Sequence, residues 1–220
     1  SAMQAGGRGV SAVYYANTVS SARYYPPTQE KNPLGPMRYW LQRAEYQIRS
    51  GAQQAALASL ARAEESYPDG LGKRRIAVLY RQAEDFHRAS FLLDALLQRQ
   101  AKDASLWLER ADIELGMGKP DAALKYIARA MALRPDDAIR RRVIGLYRIM
   151  KESSRAAALL DPMLVRLPKD SGLWLERAEI EAQMGKRDEA LKSLVHAEEL
   201  TIGRPDANGE KRSRIAHNYQ

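Results

Sequence analysis

The fold is decided by one pentapeptide that occurs three times, as Trp40-Leu41-Gln42-Arg43-Ala44, Trp107-Leu108-Glu109-Arg110-Ala111 and Trp174-Leu175-Glu176-Arg177-Ala178. The tryptophans at positions 40, 107 and 174 are spaced by 67 residues. A glycine stands eleven residues after each of them, at Gly51, Gly118 and Gly185. A fixed period of this kind indicates a repeat architecture, in which each unit buries its apolar face against the next.

A second motif shows that the period is double. Arg74-Arg75-Ile76-Ala77-Val78-Leu79-Tyr80-Arg81 returns as Arg141-Arg142-Val143-Ile144-Gly145-Leu146-Tyr147-Arg148, again 67 residues later. Sixty-seven residues are too many for one helical hairpin, so each period divides into units of about 34 and 33 residues. The apolar residues recur at helical spacing, as in Leu124, Ile127, Ala130 and Met131.

The first unit of each period resembles the tetratricopeptide repeat. That family places a Trp, a small residue, a Gly in the turn and later small residues at fixed positions. The matching signature residues here are Trp40, Ala44, Gly51, Trp107, Ala111, Gly118, Trp174, Ala178 and Gly185. The alanines are expected to let backbones approach, and each Trp to fill the gap towards the next helix pair.

The resemblance implies an all-α, right-handed superhelical solenoid of antiparallel helix pairs. We predict about five repeats, an N-terminal helix and a C-terminal partial repeat. The predicted boundaries are 1–9 for a tag or disordered segment, 10–36 for a capping helix with a Pro-rich linker, 37–70, 71–103, 104–137, 138–170 and 171–204 for repeats one to five, and 205–220 for a connector and the first helix of a sixth repeat. Repeats two and four are degenerate. The partial sixth repeat rests on Arg214-Ile215-Ala216-His217-Asn218-Tyr219, which echoes Arg75 to Tyr80.

The composition of the chain excludes several classes of partner and chemistry. The 220 residues carry a formal net charge of +8, but the basic residues are interspersed with 27 carboxylates and form no long tract. Nucleic acid is therefore not a predicted partner. The chain has no cysteine, which excludes disulfides and thiolate chemistry, and it has no apolar run long enough to span a bilayer.

No catalytic or metal-binding pattern stands out. The three histidines, His87, His196 and His217, lie in different repeats and lack the spacing of metal ligands. The segment Gly116-Met117-Gly118-Lys119 lacks the full spacing of a phosphate-binding loop and is interpreted as the turn of a repeat. We predict a protein that is not an enzyme and that uses no cofactor and no metal.

In the tetratricopeptide family, the first helix of each pair lines a concave groove that binds ligands. Carried onto this sequence, the resemblance implies a partner-binding groove formed by Leu41, Glu45, Arg49, Arg74, Arg81, Leu108, Asp112, Arg141, Arg148, Leu175 and Glu179. Further candidates on the groove side are Ile48, Val78, Gln82, Leu115, Gly145 and Ala182. Acidic positions (Glu45, Asp112, Glu179) would alternate with basic ones. Such a mixed-charge groove suits an extended segment or a helix of a protein partner.

Arg43, Arg110 and Arg177 stand where the family usually has Leu, with Gln47, Glu114 and Glu181 four residues on. They either form structural ion pairs between adjacent helix pairs or a polar ladder that contacts the ligand. The predicted function is a protein-interaction scaffold for a protein or peptide partner. The alternative is a periplasmic module that binds an exopolysaccharide or assembles its export machinery. The sequence leaves the compartment open, with the periplasm favoured over the cytoplasm, and it leaves the oligomeric state open.

Overall fold

A computed structural model describes residues 35–66 and 70–202, and within these residues the chain is all-α. Its helices are α1 (Gly35–Arg49), α2 (Gln53–Ser66), α3 (Gly70–Gln82), α4 (Phe86–Arg99), α5 (Ala104–Gly116), α6 (Pro120–Ala132), α7 (Asp137–Ile149), α8 (Ser153–Arg166), α9 (Ser171–Gln183) and α10 (Arg187–Ile202). The predicted all-α class is confirmed. The predicted N-terminal tag, capping helix and linker up to residue 34, and the predicted connector and partial sixth repeat at 205–220, lie outside the described residues.

The chain divides into two compact units, with the division after Gly72. In the first unit, α1 and α2 form an antiparallel pair. Ala44 and Ala56 lie at 0% exposure where the two helices face each other, so the backbones can approach closely. Gly51 forms the turn with φ = 76°, a left-handed conformation that glycine adopts without a steric penalty.

The second unit begins at Lys73 and contains most of α3 and all later helices. Its helices come in pairs joined by short turns: α3 with α4, α5 with α6, α7 with α8, and α9 with α10. We call α3, α5, α7 and α9 the first helices of these pairs. Packing joins α5 to α6, α7 to α8 and α9 to α10 within pairs, and α4 to α5 and α8 to α9 between pairs.

Helix α7 connects two parts of the core. Val143 and Leu146 belong to the buried cluster that includes Leu108 of α5 and Ile127 of α6. Ile144, on the other side of α7, belongs to the cluster built from α8 and α9. From α5 to α9, consecutive pairs therefore pack through two apolar clusters that meet at α7, as a solenoid requires.

Aspartates start four of these helices. Asp85, Asp103, Asp136 and Asp170 each accept a hydrogen bond from a backbone N–H in the first turn of the following helix. Asp is among the best N-cap residues because its carboxylate accepts from amides that have no partner within the helix. Asp103, Asp136 and Asp170 thus fix the start of the pairs that begin with α5, α7 and α9, and Asp85 fixes the start of α4, a second helix.

The structure shows how the tryptophans are anchored. Trp107 is half-buried and stacks on Tyr126 of its own pair, with 6.1 Å between ring centroids. Its indole Nε1 donates to the carbonyl of Ala101 in the preceding loop, at 2.8 Å. Leu108, at 0% exposure, belongs to the buried cluster that includes Val143 and Leu146 of the next pair, and Trp107 packs against the same cluster. Trp174 repeats the arrangement, since its Nε1 donates to the carbonyl of Pro168 at 2.8 Å.

Candidate functional site: the charged face of the first helices

The first helices of the second unit are linked by arginine–carboxylate pairs. Each pair joins one first helix to the next, or to the aspartate that caps it. We call this surface the charged face; its ion-paired residues are Arg74, Asp103, Glu109, Asp112, Arg141, Arg142, Arg148, Asp170 and Glu179.

Arg74 of α3 makes the most contacts on the charged face. Its guanidinium donates to Glu109 of α5, at 2.9 Å from Nε and 2.6 Å from Nη2. It also donates to Asp103 at 3.2 Å. Burial by itself would raise the pKa of Asp103, but hydrogen bonds from Ser105 and the charge of Arg74 outweigh it and lower that pKa.

Arginines of α7 form ion pairs with the preceding first helix, α5, and with the following one, α9, or its cap. Arg142 reaches back to Asp112 of α5, with 2.6 Å between Nη2 and Oδ2. Arg148 reaches forward to Glu179 of α9, and Arg141 reaches forward to Asp170, the cap of α9. The acidic and basic positions that the sequence predicted to alternate therefore lie next to one another. They neutralise each other across the helices.

Sequence reasoning missed Arg142 and Glu109. Both are direct neighbours of predicted groove residues, and a shift of one residue rotates a helical side chain by about 100°. The signal was present in the 67-residue period, because Arg75 and Arg142 both occupy the second position of the double-arginine motif.

Between its arginines the charged face is open. Arg141, Gly145 and Arg148 follow one another at spacings of four and three, which places them on the same side of α7. A Cβ built on Gly145 would meet no neighbouring atom within 4 Å. Arg81, at the end of α3, is half-buried and makes no ion pair within the described part of the chain.

Three buried polar atoms near this surface have no hydrogen-bond partner among the residues that the structure describes: Glu109 Oε2, Arg148 Nε and Glu176 Oε2. Burial raises the pKa of Glu176, and the charge of Asp170 adds to the effect, while Arg141 and Arg148 oppose it. Both arginines also form ion pairs with other carboxylates, Asp170 and Glu179.

The remaining predicted groove residues differ in their exposure. Leu41, at 9% exposure, and Leu108, at 0%, are core residues, because each faces the packed interior. The expectation that these two leucines line an open groove is therefore corrected. In the first unit, Glu45 is half-buried, and the exposed Arg49 donates from Nε to the Glu45 carbonyl at 3.3 Å.

Arg110 and Arg177, which stand where the tetratricopeptide family usually has Leu, form structural ion pairs in the second unit. Arg110 donates to Glu114 on its own helix at 2.5 Å and to Asp94 of the preceding pair at 2.8 Å. Arg177 donates to Glu181 on its own helix at 2.8 Å and forms an ion pair with Asp161 of the preceding pair, with 3.7 Å between Nη1 and Oδ1. Arg110 is only 8% exposed, which favours the structural interpretation over ligand contact.

Arg43 differs, because its Nη1 donates to the Tyr39 hydroxyl at 3.1 Å. Gln47, four residues on, accepts instead from Ser59 of α2 at 2.7 Å.

A second surface is apolar. Leu175 of α9 and one side of α10 form an open groove of about 710 Å³, lined also by Leu191, Leu194, Val195, Ala197, Glu198, Thr201 and Ile202. Leu175 is 46% exposed, whereas its equivalent one period earlier, Leu108, is fully buried. The sequence placed Leu175 in the predicted groove of the first helices, and the structure places it in this second groove instead.

The described helices offer neither a metal site nor a membrane span. No group of three or more His, Asp or Glu side chains in the described residues is arranged to hold a metal ion. None of the helices described is both long enough and apolar enough to cross a membrane.

Comparison with known proteins adds the family. The tetratricopeptide repeat family model matches residues 104–137, which are the α5–α6 pair and its flanking loop. Residues 104–137 are thus recognised as one tetratricopeptide repeat. No curated protein sequence is significantly similar to it.

Solved structures of tetratricopeptide proteins share the fold. One from Parabacteroides merdae ATCC 43184 is 18% identical, with a TM-score of 0.56 over 84% of this chain and 70% of that chain. TTC0263, a thermophilic protein from Thermus thermophilus, is 21% identical, with a TM-score of 0.52 over 76% and 92%. The MamA protein is 16% identical, with a TM-score of 0.51 over 75% and 91%. At these identities the likeness establishes the solenoid fold alone.

Proposed function

We propose that this chain is a non-catalytic scaffold that binds an extended segment or a helix of a partner protein across the charged face of its first helices. The open position at Gly145 carries the proposal. A glycine in the middle of a helix costs about 0.5–1 kcal/mol relative to alanine. Nothing in the packing around Gly145 requires that cost, because a side chain there would enter open space.

The surroundings of Gly145 suit a peptide. Arg141 and Arg148 flank it on α7, and each is held in place by a carboxylate of the next pair. Preorganised charges lose little side-chain entropy when a ligand binds. The backbone of a partner segment could approach α7 closely at Gly145, with its polar groups facing the two arginines.

A protein ligand is favoured over a polysaccharide by the position of the tryptophans. Sugar binding usually requires exposed aromatic rings, but Trp107 stacks on Tyr126 and Trp174 packs edge-to-face on His196. Both indole N–H groups are also occupied by loop carbonyls. These rings serve the packing of their own pairs.

The test places a side chain at position 145 and measures peptide binding. Random 16-residue peptides are selected by phage display against the wild-type chain, and the Kd of the best peptide is measured by fluorescence anisotropy. Gly145→Gln should keep or raise the melting temperature, because it removes a helix-interior glycine without a clash. It should also weaken peptide binding at least tenfold.

Ala128→Gln is the matched control, since Ala128 is exposed on α6, a second helix away from the charged face. It should leave the Kd unchanged. Equal affinity of the Gly145→Gln variant and the wild type would show that the ligand does not cross α7. Failure to select any peptide would contradict the proposed peptide-binding function itself.

A further inference from the structure

Glu176 of α9 makes no ion pair with any residue that the structure describes, although it lies beside the charged face. Its Oε2 is buried and has no hydrogen-bond partner among those residues. Burial raises its pKa, and the charges of Arg141 and Arg148 oppose that rise. Each of these arginines, however, is ion-paired with another carboxylate, Asp170 or Glu179. Glu176 is therefore a desolvated carboxylate that lacks a cation of its own.

The equivalent residue one period earlier, Glu109, does have a cation. Arg74 of α3 donates to Glu109 Oε1 at 2.9 Å from Nε and 2.6 Å from Nη2. The Nη2 group also donates to the Ser105 hydroxyl, and that hydroxyl donates in turn to Asp103 at 2.6 Å. Ser105 thus helps to hold the guanidinium between Asp103 and Glu109.

The serine that holds this arginine is a glycine in the next period. Gly172 stands where Ser105 stands 67 residues earlier. A Cβ at position 172 would lie 3.4 Å from Nη1 of Arg141, so the guanidinium reaches in beside the glycine. Arg141 pairs there with Asp170 rather than with Glu176. The loss of the serine hydroxyl therefore accompanies the loss of the arginine–glutamate pair.

Space for a ligand lies next to Glu176. Val78 of α3 has Gly145 as its equivalent on α7. Gly145 lies between Arg141 and Arg148, and the charges of both arginines act on Glu176. A Cβ at position 145 would meet no atom within 4 Å. The missing side chain therefore leaves room for a group of a partner to approach the carboxylate.

We propose that Glu176 binds a basic side chain, Lys or Arg, of the partner segment that crosses α7 at Gly145. This inference rests on the proposed function of the charged face and names the ligand chemistry at one position of it. A neutral donor would satisfy the oxygen but leave the buried charge uncompensated, whereas a cation does both. The last torsion of a glutamate side chain is broad, so the carboxylate can turn towards the ligand at little cost.

The test compares the peptides that different variants select. Random 16-residue peptides on phage are selected in parallel against the wild type and Glu176→Gln, and the selected pools are sequenced. Peptides selected by the wild type should share Lys or Arg at one position of their consensus. Glu176→Gln should lose that preference, because its side chain carries no charge. Circular dichroism checks that each variant is folded.

Glu109→Gln is the matched control, since it removes the equivalent carboxylate, which already has Arg74 as its partner. It should keep the preference for a basic residue. A consensus without a basic position would overturn the inference and leave the proposed function standing. Failure to select any peptide would overturn both.

A double-mutant cycle between protein and peptide tests the contact itself. In the best wild-type peptide, the shared basic residue is replaced by an uncharged residue of similar shape, norleucine for Lys or citrulline for Arg. Measured by fluorescence anisotropy, this replacement should raise the Kd for the wild type by about tenfold or more. For Glu176→Gln it should raise the Kd by less than about twofold, because the contact is already absent. Equal losses with both proteins would show that the basic residue binds elsewhere and would overturn the inference.

Discussion

At the scale of single residues, the contact between the end of α5 and the start of α4 is made by different side chains from the equivalent contact one period later, between α9 and α8. Gly116 ends α5 beside Phe86, and a Cβ at position 116 would overlap Cε1 of the Phe86 ring. One period later the equivalent pair is Gln183 and Ser153, whose side chains hydrogen-bond at 3.2 Å. A large residue on either helix is thus matched by a small one on the other.

This complementarity predicts a coupled pair. Gly116→Gln should destabilise the chain by about 1–2 kcal/mol, because the Phe86 ring must move out of its place. Phe86→Ser alone should also destabilise it, through lost apolar contact. The double variant recreates the pair found at Ser153 and Gln183. Urea unfolding should then give a favourable coupling energy of about 1 kcal/mol or more. Additive single effects would contradict the prediction.

At the scale of the elements, all five helix pairs that the structure describes use the same turn with different residues. At Gly118 the turn has φ = 72°, and the N–H groups of Gly118 and Lys119 donate to Leu115 and Glu114. This is the Schellman pattern that ends many helices. The degenerate repeats keep the pattern with a side chain in the left-handed position, at Glu84 (φ = 62°) and Lys151 (φ = 59°).

The turns at Lys151 and Gly118 give two opposite predictions, each of which controls for the other. Lys151→Gly should stabilise the chain by about 0.5–1 kcal/mol, because it removes the steric cost of a left-handed side chain. Gly118→Ala should destabilise it by about 1 kcal/mol for the same reason in reverse. A Cβ at Gly118 meets no atom within 4 Å, so the effect would come from the backbone alone. Both values follow from denaturant midpoints at constant m-value; a loss of stability in Lys151→Gly would contradict the argument.

At the scale of the whole molecule, the dependence of stability on pH should reflect the carboxylates of the charged face. The folded-state pKa of Glu176 is raised above its ordinary 4.5 by burial. A raised carboxyl pKa contributes stability that is present below the ordinary value and is lost as the pH rises through the folded value. Glu176→Gln removes this loss, so the variant should gain stability relative to wild type as the pH rises from about 4 to about 7.

Glu109→Gln is the matched variant, one period earlier. Glu109 accepts two hydrogen bonds from Arg74, and charge-assisted bonds of this kind are stronger than neutral ones. Near neutral pH this variant should therefore lose stability while Glu176→Gln gains it. The measurement is the free energy of unfolding across the pH range, and the same sign for both variants would contradict the prediction.

The sequence by itself determined the repeat and its class. The period of 67, with Trp107, Ala111 and Gly118 at fixed places, predicted paired helices, and the structure has them. Local rules suffice here, because small residues where backbones meet and glycine at left-handed turns follow from single positions.

Only the tertiary structure decided which side chains are available to a partner. Leu108 and Leu175 occupy the same place in the repeat, yet one is buried and the other lines a groove, because α7 covers the first. Arg141 and Arg148 were recognisable as basic residues, but their pairing with Asp170 and Glu179 depends on how α7 packs beside α9. Periodicity fixes a residue's place within its unit, while exposure and ion pairing depend on the neighbouring unit.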